Sequence, residues 1–374
     1  MIQTTKDDLT KNRGLLKLHE SFISDEEYDS SKYLSYSKVK DVYDNPESLF
    51  EERKESKAEW LTFGTVVDIM LTDEEHLWDR IMINDTVPSD QMKNITEYIV
   101  NNNLIPDNID NNLSTDIGIL SDTQIEECYT NTGSSVRWTI DTKRKKIAEE
   151  CSEYYKLLKV GVDKMIISTE LYDEADNLAT LLRTEENTKH LFMSESDQLK
   201  ENIEILYQFK IKYVFEEMMC KSKIDIVVID HDLEIVSLYD IKTGSDHPRK
   251  FLKQAIYKYK YGYQAVLYQK GFEEFIKSIP QLTHYKIEDF RFVYVSRIKP
   301  NYAVVARISS DCLKEFYVCG INDYNYTIPS VSETFEAIRY YTGILDSGEK
   351  PYMPYDIALK KGEYVIPMTK KYYD

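Results

Sequence analysis

A mixed α/β fold, a central β-sheet flanked by helices with some α+β character, is what this sequence predicts. Two observations carry that expectation. Lys223–Asp230 (KIDIVVID) and Val236–Gly244 (VSLYDIKTG) are apolar, β-branched runs joined by a polar segment, the pattern of two paired strands. A helical stretch, Arg249 to Lys270, unbroken except for Gly262, follows, and then two more strand patterns, Phe290–Ser296 and Ala303–Ser309. Strands of this kind need helices to cover their apolar faces.

Along the chain, residues 1–33 are acidic and polar and are expected to form a loosely packed N-terminal arm. A single domain over 34–350 should follow. Its first helix starts near Leu34, with Ser35 or Ser37 as cap, and stops at Asn45-Pro46. An amphipathic helix spans Thr62–Leu71. Residues 84–160 read as a helical and loop insertion, rich in Asn, Asp, Ser and Thr up to 135, with loops at Asn101–Asn103 and Asn111-Asn112. It ends in a helix over 141–160 that carries the basic run Lys143–Lys146, a solvated face or a phosphate contact. A helical segment, Glu174–Phe192, precedes a strand near Asn202–Phe209. Asp230-His231-Asp232 suits a hairpin turn, Asp246 a helix N-cap, Pro248 a first turn and Gly271 a helix stop. A late helix covers Ser332–Leu345, and the tail, 351–374, is rich in Tyr and Lys without helical period.

The chain has 374 residues, 42% of them hydrophobic, enough to bury a substantial core. Its net charge of −18 is the wrong sign for generic nucleic-acid binding, where basic surface dominates affinity. The charge is unevenly spread, however. From Lys242 to Lys270 the cations Lys242, Arg249, Lys250, Lys253, Lys258, Lys260 and Lys270 face one acid, Asp246. The five cysteines have no C-x-x-C spacing, so free thiols in a reducing compartment are expected and an iron–sulfur cluster is not. The polar N-terminus and the lack of a long apolar run predict a cytoplasmic protein with no membrane partner.

The chemistry concentrates on the strand pair. Asp225 interrupts an apolar run, where a carboxylate costs several kcal/mol, on the order known for buried ions, unless it is paired or bound to metal. Asp240 and Lys242 are two apart on the next strand and therefore share a face. Two such acids can hold Mg²⁺ or Mn²⁺, hard cations that prefer oxygen. A lysine beside them can stabilise charge on a phosphate. The plainer alternative is a solvated strand edge. On the following helix Gln264 and Tyr268 lie one turn apart in a stripe with Tyr257 and Tyr261, which serves either a site or core packing.

Asp225, Asp240-x-Lys242 and Gln264-x-x-x-Tyr268, in this order, resemble the RecB-type branch of the PD-(D/E)XK nuclease superfamily, and most of all its phage and prophage exonuclease VIII-like group. Upstream, Gly64-Thr65 and Asp68 stand where that group has a G-x-x-x-H helix motif, with aspartate in place of histidine. Met165–Tyr172 matches the stretch ahead of the core strands, and Glu204 matches a first-strand glutamate. The resemblance runs from about residue 34 to about residue 300. It implies a restriction-endonuclease-like core and a Mg²⁺/Mn²⁺-dependent exonuclease on linear double-stranded DNA, used in phage recombination or DNA processing. Metal would be held by Asp68, Glu204, Asp225 and Asp240. Asp225, Asp240, Lys242, Gln264 and Tyr268 would be catalytic, and Arg249, Lys250, Lys253, Lys260 and Gln264 would meet DNA. A single-strand annealing protein and a homo-oligomer are implied partners. An endonuclease or nickase on the same core, or a non-catalytic DNA-binding or structural protein of this fold, uses the same residues.

Overall fold

The structure, a computed structural model, describes residues 12–44, 46–49, 59–85, 88–105, 117–134, 137–159, 164–322 and 327–346. The expected C-terminal tail and residues 1–11 of the arm lie outside the described residues. The chain divides into two compact units, one of residues 1–72 and 178–374, the other of residues 73–177.

The first unit is built on a mixed sheet. Its main strands are β1 (Ile203–Phe215), β2 (Met218–Asp230), β3 (Ile235–Gly244), β4 (Lys286–Ile287), β5 (Arg291–Ser296) and β6 (Ala303–Arg307). β1, β2 and β3 form an antiparallel meander, β3 then pairs parallel with β5, and β6 closes the far edge antiparallel to β5. The parallel step requires a crossover, which is the helical stretch after β3. At the β2–β3 turn Asp230 Oδ1 accepts from the backbone N–H groups of Asp232 and Leu233, the local bonding that favours aspartate in turns.

Helices α1 (Asp25–Ser30), α2 (Tyr36–Asp44), α3 (Glu59–Thr72), α4 (Pro248–Tyr257), α5 (Tyr261–Lys277), α6 (Ser310–Val318) and α7 (Val331–Asp346) belong to this unit. One core joins Phe209, Ile211, Tyr213, Ile224, Val227 and Leu238 of the sheet to Tyr263, Val266, Phe272 and Phe275 of α5. α5 is buried on most of its circumference, which is why its sequence reads apolar with little amphipathic contrast.

Two expectations are corrected here. The predicted helix Arg249–Lys270 is two helices, broken at Lys258–Lys260, where Lys260 takes the left-handed backbone (φ 54°). Gly262 lies inside the second helix and not at the break. The break is set instead by tertiary bonding: Tyr36 Oη donates to the Tyr259 carbonyl at 2.7 Å, and the Lys258 and Tyr259 N–H groups both turn back onto Gln254 O. Gly271 does not stop α5, which continues to Lys277. The glycine is there for packing, since a Cβ on it would fall 2.3 Å from the Tyr213 ring.

The N-terminal arm is also tighter than expected over its described part. Leu16 and Ile23 are buried, Phe22 bridges to Ile211, and Ile23 N–H bonds Lys210 O. β1 would otherwise expose a sheet edge, and the arm covers it.

The second unit packs the helices Asp90–Asn101, Asp122–Asn131 and Ile140–Lys146 around Ile95, Ile99, Ile125, Cys128, Tyr129 and Tyr155. A parallel pair of short strands, Ile81–Ile83 with Met165–Ile167, lies within it. The Lys143 ammonium is committed to Glu126 and the Tyr129 ring, so that part of the basic run is internal structure. Among the described residues, no helix is long and apolar enough to cross a membrane.

Candidate functional site

The site lies where the meander loses its regular pairing. On either side of Gln208 the β1–β2 ladder is intact, with Tyr207 opposite Ile226 and Phe209 opposite Ile224, so Gln208 stands opposite Asp225. Gln208 takes a left-handed backbone (φ 50°), which interrupts the strand's alternation. The core shows the slip. Phe209, Ile211 and Tyr213 enter it on one side of Gln208 and Leu206 on the other, while on β2 the phase changes between Ile224 and Val227. The β2–β3 ladder ends at Ile226–Tyr239, and its next step brings Asp225 to Asp240. Asp225 Oδ2 there accepts the Ile241 N–H at 2.7 Å, a carboxylate replacing a ladder carbonyl. Gln208, Asp225 and Asp240 thus form one row across β1, β2 and β3.

α3 approaches the same row. A Cβ on Gly64 would lie 3.1 Å from Thr243 Oγ1, so the glycine permits close contact between helix and β3. One turn later, Asp68 receives Gln208 Nε2 on both carboxylate oxygens, at 2.8 and 3.0 Å. The pairing of Gly64 with Asp68 in the sequence therefore has a physical meaning: one residue sets the distance and the other uses it.

Asp240 is almost fully buried. Its Oδ1 accepts Gln264 Nε2 from α5 at 2.5 Å. The Lys242 ammonium pairs with Oδ2. Lys242 Nζ also sits 4.8 Å from the Tyr261 ring centre and 5.9 Å from that of Phe292.

The electrostatics follow from crowding. Desolvation pushes the Asp225 carboxyl well above the usual range, the charges of Asp240 and Asp68 add to this, and Lys242 and the Ile241 N–H oppose it. Burial also raises Asp240, restrained by Lys242 and by its bond from Gln264. Burial works against the Lys242 ammonium, but Asp240, Tyr261 and Asp225 outweigh it and hold the lysine above its ordinary range. Two acids this close titrate as a pair.

Tyr268, one turn beyond Gln264, is buried beside the same acids, and burial, then the Tyr28, Asp240 and Asp225 charges, raises its hydroxyl. Tyr28 of α1 is raised chiefly by burial and also by Asp225, and its ring is capped by the Lys221 ammonium 4.6 Å from its centre.

The structure therefore brings together Asp68, Asp225, Asp240, Lys242, Gln264 and Tyr268. It places Glu204 elsewhere. Glu204 lies four residues before Gln208 on β1, buried, accepting the Gly14 N–H at 3.1 and 3.2 Å and facing His231 Nε2 at 3.4 Å. Arg249, Lys250 and Lys253 stand exposed on α4, with Lys250 bonded to Asp246 at 2.6 Å. Lys260 is half-buried at the break before α5. Gln208 and Tyr28 were missed by sequence reasoning, and Tyr261 was read only as part of the aromatic stripe. Gln208 had a signal, a polar residue between Tyr207 and Phe209.

Among the described residues, no three His, Cys, Asp or Glu side chains converge in a form able to hold a metal ion by themselves. What the site offers is two adjacent carboxylates, Asp225 bonded by the Ile241 N–H and Asp240 by Gln264 and Lys242. That suits Mg²⁺, which is commonly bound by one or two carboxylates while water and substrate phosphate fill the remaining positions.

No protein-family model and no curated protein matches the chain. Among solved structures it is similar to a crystal structure from Eubacterium rectale described as a "Putative exonuclease", with 13% identity and a TM-score of 0.41 over 92% of this chain and 88% of that one. A likeness this remote assigns neither fold nor activity.

Proposed function

We propose that the chain is a divalent-metal-dependent deoxyribonuclease with a restriction-endonuclease-like core of the RecB type, acting as an exonuclease on linear double-stranded DNA. The observation that carries this reading is the Asp225–Asp240 pair at the parting of β2 and β3, with Lys242 on Asp240. A scaffold with no use for the pair has little reason to keep two acids adjacent at such cost.

Asp225 and Asp240 would hold Mg²⁺ or Mn²⁺, which when bound supplies an activated water and charge stabilisation at the phosphate. Gln264 orients Asp240 through its amide N–H, while Lys242 faces the other carboxylate oxygen, which the ion would share with it. Lys242 supplies a fixed positive charge beside that oxygen, where negative charge on the scissile phosphate develops. Asp68 is held by Gln208 and joins the site through its charge on Asp225. The exposed cations Arg249, Lys250 and Lys253 offer α4 as the face for the DNA backbone on an otherwise acidic chain.

A second reading, a non-catalytic DNA-binding protein, draws on the donors that already engage Asp68 and Asp240. One experiment separates them. Linear and closed-circular double-stranded DNA are incubated with Mg²⁺ or Mn²⁺ and either the wild-type chain or Lys242→Ala. Loss of linear DNA alone, absent in the variant, is expected. Cutting of circles would favour an endonuclease, and no cleavage by folded protein with either metal would favour the binding role.

A further inference from the structure

A cleft of about 520 Å³ opens near β3, outside the acid pair. Tyr239 and Arg291 form its inner wall, Val304 and Val305 of the edge strand β6 line it, and Asn187 and His190 stand at its rim. Nothing in the hydrolytic reading uses these residues.

The side chains present flat faces. The Arg291 guanidinium lies over the Tyr239 ring, 5.4 Å from its centre, and the His190 ring meets Tyr239 edge-on at 6.2 Å. The charge of Arg291 is already balanced by Glu288 Oε2 at 2.7 Å, and its other amino group reaches Asp289 O. What it offers the cleft is therefore a planar surface more than a free positive charge, which disfavours an isolated phosphate. Partial desolvation of the His190 ring, then the Arg291 charge, lowers the imidazole, favouring the neutral form with one donor and one acceptor. The Asn187 amide adds another of each. Aromatic and guanidinium planes to stack on, with donors and acceptors at the edge, are what unpaired bases are recognised by. The volume lies within the range of small-ligand pockets.

We infer that this cleft binds one unpaired nucleobase, stacked against the Tyr239–Arg291 wall and read at its edge by His190 and Asn187. The choice of a nucleotide ligand rests on the hydrolytic reading above. The base would come from a free mononucleotide or from the terminal nucleotide of a strand, and the test distinguishes these sources.

The full chain is titrated in EDTA, so that no hydrolysis occurs. Calorimetry compares dAMP with 2-deoxyribose 5-phosphate, which has no base. One site for dAMP, none for the sugar phosphate, and at least tenfold weaker dAMP binding in His190→Ala and Arg291→Gln are expected. A duplex with an unpaired terminal 2-aminopurine is titrated in parallel. A fluorescence change that His190→Ala weakens assigns the cleft to strand ends, and binding of dAMP alone assigns it to free nucleotide. Equal binding of the sugar phosphate, dAMP binding that neither variant weakens, or no response to either base-containing probe overturns the inference. Since hydrolysis is tested with metal and this site without it, failure of one leaves the other standing.

Discussion

Replacing Asp225 with asparagine is expected to stabilise the folded chain while abolishing metal-dependent cleavage. The Ile241 N–H donates to this side chain at 2.7 Å, and an asparagine carbonyl can keep that bond. Against that stand desolvation and two neighbouring acids, with the nearest cation, Lys242, already held by Asp240. The folded chain therefore raises this carboxyl above its unfolded value of about 3.9. Between those two values the unfolded state binds fewer protons than the folded one, so this group makes stability fall as pH rises. Asparagine removes that loss. Replacing unfavourable buried charge by a neutral group of similar volume is worth about 1–4 kcal/mol. The gain should be small near pH 4 and reach its full value above the folded pKa. Urea unfolding of both proteins at pH 6 and pH 8.5 tests this, clear of the acidic range where a chain of net charge −18 at pH 7 loses its charge and precipitates. A variant less stable than wild type at pH 8.5, or a gain that shrinks as pH rises, would refute the argument and mean that Asp225 is stabilised as an ion.

Lys242→Met should act in the opposite direction. It leaves the Asp240 carboxylate buried without its cation, a loss of about 3–5 kcal/mol at pH 8.5 that shrinks at lower pH as the acids take up protons, read from urea midpoints at the two pH values. Gly271→Ala should cost about 1–3 kcal/mol despite its better helix propensity, because the new methyl meets the Tyr213 ring. The double variant with Tyr213→Leu should cost less than the two single changes added together, as measured by thermal unfolding. Strict additivity would show that the ring is not the obstacle.

Asp225, Asp240, Lys242 and Gln264 were legible in the sequence because each breaks a strong local pattern. Carboxylates and a lysine stand out in β-branched runs, and an amide stands out in an aromatic helical stripe. Alternation on a strand and 3.6-residue periodicity on a helix are local rules, so the mixed sheet with flanking helices followed from them. Three things were decided only by tertiary contacts. Gln208 takes its place in the row through a left-handed backbone that its residue type does not announce, and only the registers of β1 on β2 and of β2 on β3 align it with Asp225 and Asp240. Glu204 is separated from the acids because, four residues along β1 from Gln208, it pairs with Ile229, and Gly14 and His231 satisfy it. The helix break at Lys260 and the run through Gly271 depend on Tyr36 and Tyr213, each distant in the chain. A sequence records which groups are costly where they stand. Which of them meet is settled by strand register and by close packing, and both are properties of the whole fold.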